Sequence, residues 1–292
     1  MAPPGLPGIP QEIIDEVIDF CSEDKKTLLA CSLISRAWVY RTRKHLFSTL
    51  TLTDKTLPTW CNVVAAPTSN TISGEQSLPH PTCPPPPLTP HPGFPLVTSL
   101  ELALTHPQTP LKTFGAALLR AETHFSAFIN LNSLTLSMIP LTAFHRAPMR
   151  ACFGSIAETV RELKLSMCSL DGKFPAFLML FTHLEALELS GNTWIPRALP
   201  QRTNILQKDP PTLHGSFTIS NFNCSTIRLL DSLSNMRAEY HTITIGNTPM
   251  STSREINTLL AKCKDHLKAL VLTAADLFCK RFVSTSIPGR SR

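Results

Sequence analysis

Residues 184–192 read LEALELSGN, and residues 160–168 read VRELKLSMC. In both stretches leucine alternates with small or polar residues. Successive side chains of a β-strand point to opposite faces of a sheet, so this alternation predicts a short strand with one buried and one exposed face. These stretches decide the fold because related copies of them recur through the chain.

The copies share an apolar residue that is followed, three and five residues later, by two further apolar residues. The five clearest are Val97-Leu100-Leu102, Leu131-Leu134-Leu136, Val160-Leu163-Leu165, Leu184-Leu187-Leu189 and Leu267-Leu270-Leu272. Three others are Phe47-Leu50-Leu52, Phe217-Ile219 and Tyr240-Ile243-Ile245. The middle positions of consecutive copies lie 24 to 34 residues apart, except for one interval of 50 residues that contains a proline-rich stretch.

Helical periodicity fills several of the intervals between these strands. Phe114, Leu118, Ala121 and Phe125 form one apolar stripe, and Ser225 and Ser253 stand where they would cap two further helices. Strands that alternate with helices predict an α/β fold. The regular spacing favours a solenoid in which no repeat buries its apolar face alone, and an ordinary layered α/β fold is the alternative.

The strand copies resemble leucine-rich repeats of the irregular, long type. Cys168 and Asn192 end the two best copies at the position where that family has Asn or Cys after the strand, and only these two of the eight copies keep it. The resemblance implies a solenoid of short parallel strands alternating with helices.

Proline divides the chain. Residues 65–95 contain ten prolines and a single charged residue, Glu75, which excludes a helix or a central strand. The segments predicted after the opening helices are a first strand and helix at 47–66, a proline-rich insertion or loop at 67–95, the solenoid at 96–276 and a basic tail at 277–292.

The first fifty residues predict three short helices. Pro10 suits a first helical turn, and the apolar residues after it recur at three- and four-residue steps. Asp24 and Ser35 stand at cap positions for the second and third helices. Three helices of this size do not enclose a stable core, so they need the following repeats or another protein as a partner.

Residues 6–47 resemble an F-box of the fungal type. Ile9-Pro10-x-Glu12-Ile13-Ile14 stands at the family's Leu-Pro-x-Glu-Leu-Ile motif. Leu28-Leu29-Ala30-Cys31-Ser32-Leu33 with Arg36-Ala37-Trp38 stands at its second-to-third helix segment, and Leu46-Phe47 closes it. The chain departs from the pattern at Ile9, where the family has Leu, and at Ile34-Ser35, where Val-Cys is commoner.

This resemblance implies the substrate-recognition adaptor of an SCF-type ubiquitin ligase. In that family the F-box binds a Skp-family adaptor protein, which is attached to a cullin and RING scaffold, and the repeats bind the target protein. The implied adaptor-binding residues are Ile9, Pro10, Ile13, Ile14, Val17, Leu28, Leu33 and Trp38. Trp38 also suits the core of the box itself. The alternative function is a leucine-rich-repeat scaffold that binds proteins without any ligase role.

Composition excludes several other classes of protein. The nine cysteines include no C-x-x-C pair, so the sequence predicts free thiols in a reducing compartment and no metal site. No apolar run is long enough to span a membrane, and no secretory signal opens the chain, so we expect a cytoplasmic or nuclear protein. Catalytic motifs and phosphate-binding glycine loops are missing, which predicts a non-catalytic protein without a cofactor.

Two further surfaces follow from the pattern. The residues between the strand leucines would line an exposed sheet, where Glu101, Glu162, Lys164 and Glu188 are candidates for binding a substrate. Solvated strand positions are the plainer interpretation of the same residues. Eight basic and three acidic residues occur from Arg254 onward. Aromatic residues are not interleaved among them, which argues against nucleic-acid binding.

Overall fold

In the computed structural model, the residues described are 10–65, 94–106, 111–143, 146–194, 212–221, 229–230, 233, 237–246 and 253–273. Ile9, nearly all of the proline-rich insertion and the whole basic tail lie outside them. The helix predicted after Ser225 also lies largely outside, although Leu229, Leu230 and Leu233 are described and buried.

Three helices open the described chain. They are α1 (Gln11–Phe20), α2 (Lys25–Ile34) and α3 (Arg36–Leu46). The caps predicted for α2 and α3, Asp24 and Ser35, are confirmed. Asp24 Oδ1 accepts hydrogen bonds from the N–H groups of Lys26 and Thr27 at 3.0 and 3.3 Å, and Ser35 Oγ accepts one from Ala37 N–H at 3.3 Å. The caps satisfy main-chain donors that have no partner inside the first turn of a helix.

Among the described residues, eight strands form one parallel sheet, which confirms the predicted α/β class. Their bounds are β1 Thr49–Thr53, β2 Ser99–Ala103, β3 Ser133–Ser137, β4 Glu162–Ser166, β6 Ala186–Ser190, β8 Thr212–Ser220, β9 Arg237–Gly246 and β10 Ala269–Thr273. They lie side by side in chain order. The two-residue strands β5 (Ser169–Leu170) and β7 (Thr193–Trp194) pair separately with each other.

The strand leucines form two rows across this sheet, because every strand pairs in register with the next. The first row is Leu50, Leu100, Leu134, Leu163, Leu187, Phe217, Ile243 and Leu270. The second row is Leu52, Leu102, Leu136, Leu165, Leu189, Ile219, Ile245 and Leu272. From β2 to β9 no member of either row is more than 3% exposed. These rows form the centre of the core.

Helices and aromatic side chains complete that core. The connecting helices are α4 (Thr56–Ala65), α5 (Leu111–Phe125), α6 (Arg146–Ala157), α7 (Phe174–Leu178) and α8 (Ser253–Cys263), with 3₁₀ turns at Phe94–Leu96 and Leu141–Ala143. Trp60 of α4 lies against Phe94 and Phe128, with ring centroids 5.9 and 6.1 Å apart. Phe217 stacks on Tyr240 at 5.0 Å.

The chain leaves four of the strands by the same turn. Met138, Met167, Gly191 and Asn221 directly follow β3, β4, β6 and β8, and each has a positive φ between 53° and 61°. The N–H groups of Met138, Met167 and Gly191 donate to Ser166 O, Ser190 O and Ser220 O respectively. The hydrogen-bond ladder therefore extends one residue beyond the strands.

The residue after this turn is buried and polar in two neighbouring copies. Cys168 Sγ donates to Leu136 O at 3.3 Å, and Asn192 Nδ2 donates to Leu165 O at 2.9 Å. Leu136 and Leu165 occupy equivalent places in β3 and β4. Asn192 Oδ1 also accepts from Cys168 N–H at 2.7 Å, so these side chains connect three consecutive copies.

The sheet is less regular between β8 and β9. A register shift lies between Gly215 and Ser216. Gly215 has a φ of +88°, and a Cβ built there would lie 1.8 Å from the carbonyl oxygen of Glu185. Only glycine fits this position, because any side chain would collide with a neighbouring main chain.

Candidate functional site

A polar cluster ties the first helix to the third. Asp19 of α1 accepts hydrogen bonds from Arg41 of α3, and the Arg41 Nε to Asp19 Oδ1 distance is 2.6 Å. His45 Nε2 lies 2.7 Å from the same oxygen. The hydrogen bonds from Arg41 first, and from His45 second, hold the pKa of Asp19 well below its ordinary value of 3.8.

The inner side of the three helices is small. Ile18 and Leu28 are fully buried, and Cys31 is 7% exposed. Thr42 is also fully buried, and its hydroxyl donates to Trp38 O at 2.8 Å. Few side chains therefore hold this unit together from within.

Several large apolar side chains of α1 and α2 are exposed. Ile13, Val17 and Phe20 are spaced by four and three residues, so they share one face of α1. Phe20 is 90% exposed and Leu33 of α2 is 86% exposed. We call the exposed apolar side chains of these two helices the apolar helical surface, which consists of Ile13, Val17, Phe20, Leu29, Leu33 and Ile34.

The structure distributes the predicted adaptor-binding residues unevenly. Pro10, Ile13, Val17 and Leu33 are exposed, whereas Ile14 and Trp38 are half-buried. The prediction that Leu28 binds the adaptor is wrong for the described chain. Leu28 is fully buried and belongs to the core of the helices instead of their surface.

Sequence reasoning missed three members of the apolar helical surface, which are Phe20, Leu29 and Ile34. Phe20 had a usable signal, since it lies three residues after Val17 and seven after Ile13 on the same helical stripe. Leu29 had another, because it lies four residues before Leu33. Which stripe of α2 faces inward depends on how the helix packs, and the pattern of α2 does not indicate it.

A second surface lies on the sheet. We call it the polar face, and it comprises residues 49, 51 and 53 of β1 together with the residues in register with them across the other strands. Serine and threonine occupy most of these positions. Short side chains leave the strands accessible to a second molecule at close range.

The charged candidates lie in the middle of the polar face. Lys164 Nζ is 3.6 Å from Glu188 Oε2, and both side chains are roughly half exposed. Thr51 Oγ1 donates to Glu101 Oε2 at 3.1 Å. Glu162 is exposed and lies in register between Ser133 and Ala186. The structure therefore places the four predicted residues on one face. Two of the three carboxylates, those of Glu101 and Glu188, already contact other residues of this chain.

Two of the buried thiols, Cys152 and Cys168, are poor nucleophiles. Burial raises the pKa of Cys168 to about 12 and that of Cys152 to about 11, so both stay protonated at neutral pH. Cys168 uses its proton to bond Leu136 O. Among the described residues, no group of three His, Cys, Asp or Glu side chains is placed to hold a metal ion.

Comparison with known proteins adds no relative. Neither a protein-family model nor a curated protein significantly matches the chain. Of the helices that the structure describes, none is long and apolar enough to cross a membrane.

Proposed function

We propose that this protein is the substrate-recognition adaptor of an SCF-type ubiquitin ligase. In this proposal α1 to α3 form an F-box that binds a Skp-family adaptor protein, and the strands form leucine-rich repeats that bind the target. The observation that carries it is the apolar helical surface, where six large apolar side chains of α1 and α2 are exposed beside a very small core. Exposed apolar patches of this kind mark protein-binding sites.

Two features of α1 to α3 support the F-box assignment. The first is the resemblance to the Leu-Pro-x-Glu-Leu-Ile motif. Pro10 of this motif directly precedes α1, and the residues of the motif that follow it form the first turn of that helix. The second is the exposure of Ile13, Val17 and Leu33, all of which the resemblance assigns to the adaptor. Leu28 is left out of the proposed contact because it supports the helices from inside.

The sheet supports the repeat assignment. Its strands lie in chain order, four of them end in the same left-handed turn, and equivalent leucines form continuous rows. Cys168 and Asn192 satisfy equivalent carbonyl groups in successive copies. A single strand and helix cannot bury its own apolar face, so each copy depends on its neighbours, as in a solenoid.

Binding of the Skp-family adaptor tests the ligase role. We expect the intact chain to co-purify with a Skp-family protein, and Leu33→Asp to abolish the complex because an unpaired charge in an apolar interface is costly. Val63→Asp is the matched control, since Val63 of α4 is 66% exposed but lies outside the three helices.

Circular dichroism of both variants shows whether they fold. A folded wild-type chain that binds no Skp-family protein would remove the ligase role and leave the scaffold function. An unchanged complex with the folded Leu33→Asp variant would show that the apolar helical surface is not the contact.

The target surface has its own test. Glu162 is the carboxylate of the polar face with the fewest competing contacts, so Glu162→Lys should change which cellular proteins the full chain captures. Glu158→Lys makes the same charge change at an exposed turn after α6 and serves as the control. The same captured proteins with Glu162→Lys as with wild type would place the target elsewhere.

A further inference from the structure

Among the residues that the structure describes, the edge of the sheet at β10 is open. Within the part of the chain that the structure describes, β10 is the last strand and pairs only with β9. An edge strand presents main-chain N–H and C=O groups that a further strand can pair with. This surface is distinct from the apolar helical surface, because α1 to α3 precede β1 at the other end of the strand order.

The hydrogen bonds of the other strands indicate which main-chain N–H and C=O groups of β10 point toward the open edge. In β2, Thr98 O accepts from the start of β3, and Leu104 N–H donates to Ser137 O. Main-chain groups alternate between the two edges of a strand, so the leucine-row residues between Thr98 and Leu104 also face β3. The equivalent residues of β10, Leu270 and Leu272, therefore direct their main-chain groups toward the open edge.

The apolar core is also uncovered at this edge. Leu272 is 62% exposed, although it belongs to a row whose other members are at most 3% exposed. Val271, on the opposite side of the strand, is 44% exposed. One more strand would cover Leu272 in the way that each strand covers the preceding one.

The segment that leads into β10 carries a net positive charge. Residues 262–268, which end α8 and lead into β10, contain three lysines and one aspartate. Lys264 and Lys268 are exposed, and Lys268 immediately precedes the strand. A segment that carries carboxylates would gain favourable contacts there, and a basic segment would be repelled.

We propose that the open edge of β10 binds an extended, acidic segment of a partner protein, which adds to the sheet as a further strand. Main-chain hydrogen bonds to Leu270 and Leu272 hold the segment, an apolar side chain covers Leu272, and carboxylates contact Lys264 and Lys268. This binding mode is the addition of a strand to a sheet edge. It goes beyond the ligase role and does not depend on it.

The edge has two other possible occupants, which are residues 274–292 of this chain and a second copy of the protein. Charge argues against both. Residues 274–292 of this chain contain four basic residues and one acidic residue, so they share the sign of the edge. A second copy would bring a second set of the same lysines to the edge. An acidic partner is the occupant whose charge is complementary.

A short peptide tests the proposal on the full chain. The probe is a fluorescein-labelled seven-residue peptide in which glutamate alternates with valine, and fluorescence anisotropy measures its affinity. We expect it to bind at least about tenfold more tightly than the same peptide with lysine in place of glutamate. Methylating its main-chain nitrogens should abolish binding, because strand addition needs those N–H groups.

Variants of the protein locate the contact. Leu272→Asp and the double variant Lys264→Glu with Lys268→Glu should each weaken binding at least about tenfold, while Val63→Asp leaves it unchanged. The lysines are exposed, so the double variant remains informative if Leu272→Asp disturbs the fold. Absence of binding to the intact chain, equal binding of the two peptides, or insensitivity to methylation would overturn the proposal. Binding that appears only after removal of residues 274–292 would also overturn it, by assigning the edge to this chain.

Discussion

The three opening helices and the strands from β2 to β6 place their large apolar side chains differently. Between β2 and β6 every leucine of the two rows is at most 2% exposed. The opening helices, in contrast, carry seven of the fourteen large apolar side chains that are exposed among the described residues. The sheet is covered by its own helices, whereas the helical unit presents apolar surface that another protein can cover.

The largest expected effect is on the free energy of unfolding, and one leucine-to-alanine substitution in each region measures it. Leu163→Ala should lower the free energy of unfolding by about 2 to 5 kcal/mol, because it leaves a cavity among fully buried neighbours. Leu33→Ala makes the same change at an 86% exposed position and should alter stability by no more than about 0.5 kcal/mol. Urea unfolding measures both. Similar losses would mean that Leu33 is also part of a core.

The next largest expected effect is the loss of stability when the close approach between Gly215 of β8 and Glu185 is disturbed. Gly215→Ala should destabilise the protein by at least about 1 to 3 kcal/mol, since its positive φ is unfavourable for alanine and its Cβ would collide with Glu185 O. Gly154→Ala in α6 is the control, because nothing lies within 4 Å of a Cβ there. It should be neutral or stabilising by up to about 1 kcal/mol. Thermal unfolding distinguishes these outcomes, and a neutral Gly215→Ala would contradict the register shift.

A smaller effect concerns the side chains that join consecutive strand copies. Asn192→Ala removes the partner of Cys168 N–H and of Leu165 O, and buried groups without partners cost about 1 to 3 kcal/mol in stability. Asn257→Ala, at an exposed position of α8, should change stability little. Chemical unfolding of the two variants measures the difference. Equal stabilities would show that Asn192 does not join the copies.

The strand pattern predicted the sheet well because it depends on local alternation. Leu134 and Leu136, or Leu187 and Leu189, are recognisable from their own neighbours, and once each copy pairs with the next the rows follow. The caps at Asp24 and Ser35 are equally local. In contrast, the burial of Leu28 depends on how α2 packs against the other helices, and sequence spacing does not supply that.

The turn after the strands was also beyond the sequence pattern. Met138 and Met167 adopt positive φ values although neither is glycine, because the ladder of hydrogen bonds to the next strand determines their conformation. Gly191 and Asn221, at the equivalent positions, have residue types that indicate such a turn.

The smallest effect is the pH dependence of the helical unit. The pKa of Asp19 is lowered in the folded chain by Arg41 and His45, so its stabilising contribution is complete above the ordinary value of 3.8 and is lost as pH falls below it. Arg41→Ala should therefore lower the melting temperature at neutral pH and have a smaller effect in acid. Arg43→Ala, an exposed position on the same helix, is the control. An Arg41→Ala effect that is the same at both pH values would contradict the ion pair.

Hydrogen–deuterium exchange of the full chain, with and without a purified Skp-family protein, tests the central contrast most directly. The proposed function predicts that binding slows amide exchange in α1 to α3 by at least about tenfold, because covering the apolar helical surface suppresses local opening there. It also predicts unchanged exchange in β2 to β6, where the core is already closed. Exchange that is unaltered in the helices, or slowed mainly in the sheet, would contradict the account.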